Sequence, residues 1–183
     1  MARGQEAEMA TLKIRRASLI DADETAAVFS ASFRSMDFVP KLHSEEEDRA
    51  FVRGLIANKE TWLALVDGRI AGLACIDGDW LAHLYVHPDQ QGHSVGHALF
   101  ETVRLERPKG FQLWTFQANK RARHFYESRG CEAVEFTDGR RNEERTPDVR
   151  YAYTGRHRIR RLVKRVSGAI AKLRDVFRMQ RTA

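Results

Sequence analysis

Cysteine is scarce in this chain, with two in 183 residues: Cys75 in an apolar strand-like run and Cys131 just after a glycine that closes a helix pattern. Neither sits in a metal-ligand spacing, so the expectation is two buried free thiols rather than a disulfide, a nucleophile or a metal site. There is no long apolar run, and Met1 to Ala10 lacks the charged-then-apolar start of a secretory leader. A membrane span and export are therefore not expected, and a cytoplasmic location is. Internal repeats and low-complexity linkers are also missing, which argues against a repeat array.

What is present is ordinary for one globular domain: 43% hydrophobic and 9% aromatic residues, enough to build a real core. The net charge of +6 is unevenly placed. Residues 156–183 hold ten Lys and Arg against one acid, whereas residues 1–155 hold 21 basic against 24 acidic groups. The basicity belongs to the tail, and the chain divides into a body, 1–155, and a basic C-terminal segment, 156–183. No specific nucleic-acid binding is expected of the body, whose own balance is slightly acidic.

Thr11 to Ala17 alternates polar and apolar residues as a first strand would. Asp21-Ala-Asp-Glu24 offers an N-cap with an acid three residues on, opening a helix that runs to about Phe33. Ser44-Glu-Glu-Glu47 repeats that logic ahead of a second helix whose apolar face is read as Phe51, Leu55 and Ile56. Trp62–Val66 and Arg69–Asp77 flank Asp67-Gly68, a tight-hairpin dipeptide, and a second Asp-Gly at 77 and 78 leads into Trp80–His87. These form an antiparallel meander. A helix to about Glu106, a strand at Phe111–Gln117, a helix at Asn119–Arg129 and two final strands, Glu132–Phe136 and Val149–Tyr153, complete the pattern. Because a helix links the strands at 80–87 and 111–117, those two should be parallel. The expected class is α+β, a mixed, mostly antiparallel sheet with helices on both faces.

The segment Leu84-Tyr-Val-His-Pro-Asp-Gln-Gln-Gly-His-Ser-Val-Gly-His-Ala-Leu-Phe100 passes from an apolar strand through a Gly-containing loop straight into a helix. The first turn of a helix carries amides without intrahelical partners and partial positive charge, so an anion is favoured there. Gly92 and Gly96 would let that anion approach the main chain.

This loop, Gln91-Gly92-His93-Ser94-Val95-Gly96, resembles the coenzyme-A loop of the GNAT superfamily of N-acetyltransferases, whose pattern is Gln or Arg, two residues, Gly, one residue, then Gly or Ala. The superfamily's second signature follows as Asn119-Lys-Arg-Ala-Arg-His-Phe-Tyr126-Glu-Ser-Arg-Gly130. The resemblance runs from about Leu12 to Thr154. Ser94 departs from it, standing where the family usually has Gly. A residue there must adopt the loop's backbone conformation, and the Ser hydroxyl is a further donor to phosphate.

The resemblance implies a GNAT-like fold in which the strand before the loop splays from its parallel neighbour, and acetyl-CoA, as co-substrate and without a metal, enters the gap. Leu84, Tyr85 and Val86 would hold the pantetheine and the acetyl carbonyl through their main chain. Gln91, Gly92, His93, Ser94, Val95 and Gly96 would hold the pyrophosphate. Asn119 matches the pantetheine contact and doubles as a helix N-cap. Tyr126 matches the acid that protonates the departing thiolate, and a packed aromatic is its structural alternative. Several relatives carry a Glu or His base on the strand before the loop, but the acid positions to look for hold Trp80, Ala82 and Phe116 here. His83 is then the nearest titratable group and the candidate for passing the amine's proton on, directly or through water. Strict alternation puts it on the opposite face from Leu84 unless a bulge intervenes. His43, ahead of the acidic run Glu45–Asp48, lies where the family shapes its acceptor site.

The implied activity is acetyl transfer to a primary amine, small-molecule or peptide, by direct attack in a ternary complex. The body's acidity favours a cationic acceptor. Two alternatives stand beside it: a non-catalytic acyl-CoA-binding or docking module, and a serine hydrolase, because Gly92-His-Ser94-Val-Gly96 also spells G-x-S-x-G. The five residues from His87 to Gln91 between strand and loop speak against the hydrolase.

In the tail, Ile159, Val163, Val166, Ile170, Leu173 and Phe177 are spaced four, three, four, three, four. That spacing makes one apolar seam on a basic helix expected from about Arg156 to Met179. The seam needs cover. Its own domain or a second copy in a homodimer comes first, an anionic membrane surface or another acidic partner second.

Overall fold

The computed structural model describes residues 10–155. The amphipathic helix expected in the C-terminal segment, 156–183, lies outside the described residues. Seven strands and four helices follow in the order β1 (Leu12–Arg16), α1 (Ala22–Arg34), α2 (Glu45–Asn58), β2 (Glu60–Val66), β3 (Arg69–Asp77), β4 (Trp80–Val86), α3 (Val95–Glu106), β5 (Phe111–Phe116), α4 (Lys120–Glu127), β6 (Glu132–Phe136) and β7 (Asp148–Tyr153). They form one mixed sheet in the order β1-β2-β3-β4-β5-β7-β6. Every neighbouring pair is antiparallel except β4–β5.

The sheet separates two apolar layers. On one face α1 and α2 lay Ala26, Val28, Phe29 and Val52 on Leu63, Ile70 and Leu73. On the other, α3 and α4 lay Val95, Leu99, Phe100, Val103 and Tyr126 on Ala74, Ile76, Leu113, Val149 and Tyr151. Strand alternation sends successive residues to opposite layers, as Leu63 and Ala64 illustrate. Gly72 lets α3 sit directly on the sheet, since a Cβ there would fall 2.8 Å from the Tyr85 carbonyl oxygen and 3.1 Å from Leu99 Cδ1.

Local signals are realised where both partners are close in sequence. Ser44 caps α2 by accepting from Glu47 N at 3.3 Å, while Glu47 accepts from Ser44 N at 2.8 Å. The expected Asp21 cap of α1 is not made. Asp21 instead accepts from Ser18 N at 2.8 Å and pairs with both Nη atoms of Arg15, at 2.7 and 2.8 Å. Those bonds hold its carboxyl well below the usual carboxylate range, the Arg15 guanidinium being the largest cause. Glu24, the other half of the expected box, accepts from Ile70 N at 2.9 Å and ties α1 to β3. The apolar stripe of α2 also differs from expectation, because Val52 and Leu55 are its buried pair and Phe51 is 44% exposed. Both cysteines are free and buried, and burial pushes the Cys131 thiol up to about 12.

Two irregularities in β4 shape the centre of the sheet. Against β3, Ile76 faces Leu81 and Cys75 faces His83, so Ala82 is an extra, unpaired residue. Against β5, Trp80–Gln112 is the single registered pair, and the strands separate beyond it.

Candidate active site

The separation leaves the β5-side edge of β4 from Leu81 to Val86 without a strand partner, while Leu84, Tyr85 and Val86 remain in register with Ala74, Leu73 and Gly72 of β3. Unpaired main-chain groups along a strand edge are a template for an extended ligand. At the end of that edge the chain turns through a short 3-10 helix, Pro88–Gln90, and enters α3. The turn into α3 uses left-handed backbone at Gly92 (φ 88°) and at Ser94 (φ 66°). Ser94 thus takes the conformation that glycine adopts freely, at a cost of about 1 kcal/mol. Ala98 N–H is the first to bond along the helix, to Ser94 O at 2.9 Å, which leaves the amides of Val95, Gly96 and His97 without intrahelical carbonyls. Open strand edge and positive helix terminus therefore adjoin, and together they fit an acyl-pantetheine arm ending in a pyrophosphate.

The α3/α4 side supplies Asn119 and Tyr126. Asn119 Oδ1 caps α4 by accepting from Ala122 N at 3.0 Å, and its Nδ2 lies 3.6 Å from Met36 Sδ in the α1–α2 loop. Tyr126 is buried with its ring among Phe100, Phe125 and Tyr151. Burial holds its phenol well above the ordinary range, so the hydroxyl keeps its proton at any working pH. The packed-aromatic role is realised, and the hydroxyl remains a donor.

Side chains of β4 divide between the layers. Leu84 and Val86 pack toward α3 and α4, whereas Tyr85 packs toward α1 and α2. His83 stacks on Tyr85 at 6.1 Å and meets Phe51 edge-on at 5.3 Å, so it keeps the face opposite Leu84. The bulge at Ala82 does not change that relation; it puts Leu81 and Leu84 on one layer instead. Among the described residues His83 has no ion-pair partner, and burial brings its imidazole down to about 4. On the same side the Tyr85 phenol is pushed far up, first by burial and then by the carboxylates of Glu144 and Asp48.

Two loops close over this side. His43 Nε2 of the α1–α2 loop meets Glu143 Oε1 of the β6–β7 loop at 3.0 Å, and Phe38 packs edge-on to Phe116. The β6–β7 loop is braced internally, with Asn142 Nδ2 donating to Thr146 O at 2.7 Å and Gln117 Nε2 donating to both Thr137 O and Asp148 O. Gln117, Met36, Glu143 and Glu144 escaped sequence reading because their partners come from distant elements. The run of acids in the loop was the one available hint.

Ser94 Oγ makes no hydrogen bond to an imidazole among the described residues, so the G-x-S-x-G spelling has no assembled nucleophile. Among the described residues no three His, Cys, Asp or Glu side chains are grouped to hold a metal, and no helix is long and apolar enough to cross a membrane.

Comparison with known proteins agrees with this geometry. Residues 57–132 match the family model described as an acetyltransferase (GNAT) domain. An uncharacterized N-acetyltransferase of Archaeoglobus fulgidus is 29% identical over 133 residues, 64% of this chain and 90% of that protein. The peptidyl-lysine N-acetyltransferase YiaC of Escherichia coli is 31% identical over 81 residues, 44% of this chain and 55% of that protein. In fold, the chain is similar to a GCN5-related N-acetyltransferase from Rhodopseudomonas palustris, with TM-score 0.67, 23% identity, and 82% and 99% of the two chains covered. It is also similar to YncA of Salmonella typhimurium, solved with its cofactor acetyl-CoA, with TM-score 0.61, 15% identity, and 79% and 94% covered.

Proposed function

We propose that the chain, which matches the acetyltransferase (GNAT) domain over residues 57–132, is a GNAT acyltransferase that moves an acetyl group from acetyl-CoA to a primary amine by direct attack in a ternary complex. The observation that carries this reading is the parting of β4 from β5 after Trp80–Gln112, with the amides of α3 at the end of the open edge.

Bound acetyl-CoA supplies an activated acetyl thioester. The main chain of Leu84, Tyr85 and Val86 holds the acyl arm along β4, where a fixed amide stabilises negative charge on the reacting carbonyl oxygen better than mobile water does. The loop from Gly92 to Gly96 and the free amides that open α3 hold the phosphates, whereas the Gln91 N–H is bonded to Pro88 O at 3.2 Å. The Tyr126 hydroxyl donates to the leaving thiolate. Asn119 fixes the start of α4 and so the position of Tyr126 on it. His83 is neutral at physiological pH and takes part in moving the amine's proton toward water. Its low basicity makes it a relay rather than a store, so the attacking amine is delivered largely by its own ionisation.

Glu144, and behind it Asp48, whose carboxylate is shared with Arg34 at 3.7 Å, put negative charge near the Tyr85 phenol on the acceptor side, which suits a cationic amine such as a lysine side chain. The likeness to a peptidyl-lysine enzyme supports that choice. A thiol-release assay across small amines, lysine peptides and free N-terminal peptides tests it, with release expected to depend on acceptor and to favour lysine. Intact acetyl-CoA binding without release on any amine would reduce the chain to a binding module.

A further inference from the structure

Gln91 opens the phosphate loop, yet its side chain is turned into the protein. Nε2 donates to Val86 O at 3.1 Å, and Oε1 accepts from Nη1 of Arg121, 30 residues away on the first turn of α4. The carboxamide thus ties the last carbonyl of β4 to a guanidinium on the neighbouring helix. A second contact fixes the same juxtaposition one turn along, where a Cβ on Gly96 would lie 3.5 Å from Phe125 Cε2. Arg121 is in consequence held beside the start of α3.

Its charge is not otherwise spent. Arg123 donates to Tyr151 Oη at 3.3 Å and faces Glu127 at 3.8 Å. Arg129 lies over the Phe125 ring at 3.6 Å and donates to Phe125 O at 2.9 Å. Among the described residues neither Arg121 nor Arg129 has a carboxylate within ion-pair distance, but Arg129 is laid on a ring whereas Arg121 is exposed beside Gln91. A guanidinium carries five N–H donors in a fork that matches phosphate oxygens, and Gln91 takes one of them.

We propose that Arg121 is a phosphate contact for the CoA moiety, with Gln91 as the residue that positions it rather than a ligand in its own right. The inference rests on the acetyl-CoA reading above. Coenzyme A offers two sources of that chemistry, the pyrophosphate and the 3′-phosphate, and the experiment separates them.

Calorimetric titration of the full chain with CoA and with 3′-dephospho-CoA supplies the test, on wild type, Arg121→Ala, Arg121→Lys, Gln91→Ala and the double Ala variant. Arg121→Ala is expected to weaken CoA about 10-fold or more, and Arg121→Lys to recover part of the loss. A loss confined to CoA puts the contact at the 3′-phosphate; an equal loss with dephospho-CoA puts it at the pyrophosphate. Gln91→Ala should cost much less once Arg121 is gone, a coupling that a purely structural Gln91 would not give. Unchanged CoA affinity in a folded Arg121→Ala, with wild type binding normally, overturns this assignment alone. Absence of CoA binding by wild type overturns the cofactor reading with it.

Discussion

His83 stacks on Tyr85 with ring centroids 6.1 Å apart and planes 21° from parallel, while Phe51 closes its edge at 5.3 Å. Burial among these rings strips water from the imidazolium and pushes the group down from 6.5 to about 4. Between those values the unfolded chain binds the proton more tightly. Stability from this group is therefore complete above about pH 6.5 and is lost as pH falls toward 4, by at most about 3 kcal/mol. Denaturant titrations at pH 7.5 and 4.5 should show a smaller difference in His83→Phe than in wild type. Equal differences would assign the slope to other groups.

The same neutral His83 fixes the expected rate profile. kcat/KM should climb from pH 6 to 9 with the free-base fraction of the acceptor amine and show no inflection near 6.5. An inflection there that disappears in His83→Phe would mean that the imidazole titrates with ordinary basicity in the working enzyme.

Tyr126→Phe keeps the ring that packs against Phe100, Phe125 and Tyr151 and removes only the hydroxyl. Turnover should fall about 100-fold or more, with acetyl-CoA affinity and melting temperature close to wild type. Unaltered kcat, with chemistry shown to limit the rate, would leave Tyr126 a packing residue.

At Gly96 a methyl group would sit in ordinary contact, 3.5 Å from Phe125 and from Val86. Gly96→Ala should therefore fold, whereas Gly96→Asp should fold and lose acetyl-CoA binding severely, because it sets a carboxylate among amides meant for phosphate. Calorimetry on the two variants checks the contrast, and equal binding by the Asp variant would move the phosphate site elsewhere.

Deleting residues 157–183 should leave a folded protein that binds acetyl-CoA, since β7 ends the sheet at Tyr153 and both motif segments precede it. Oligomeric state, solubility or liposome binding should change with the loss of the basic segment and its expected apolar seam. An unfolded truncate would show that the two parts of the chain are not separable.

Legibility in the sequence followed distance along the chain. Asp67-Gly68 gave its hairpin, with φ of 49° and 82°, and Ser44 with Glu47 gave its box, because each signal is complete within four residues. Asp21 misled because a cap and an ion pair ask for the same side chain, and Arg15 outbid the helix for it. Phe51 and Val52 are neighbours on one helix, and only the docking of α2 on the sheet decides that Val52 goes inward. In the candidate site, Gln91, Ser94, Gly96, Asn119 and Tyr126 are readable as a pattern because they fall in two short stretches of sequence. The fastening of Gln91 to Arg121 and of His43 to Glu143 is not, since each joins segments that folding alone brings together.

Ala82 gives β4 one residue more than β3 can pair with, at the place where β4 leaves β5. A bulge bends its own strand, and this one lies just past the point where the pairing with β5 stops. Substitutions along β4 can then change what lines the gap while the gap itself persists. Removing Ala82 would instead restore one-to-one pairing with β3 and send either Leu81 or the Leu84–Val86 segment to the opposite layer, with every motif residue still present.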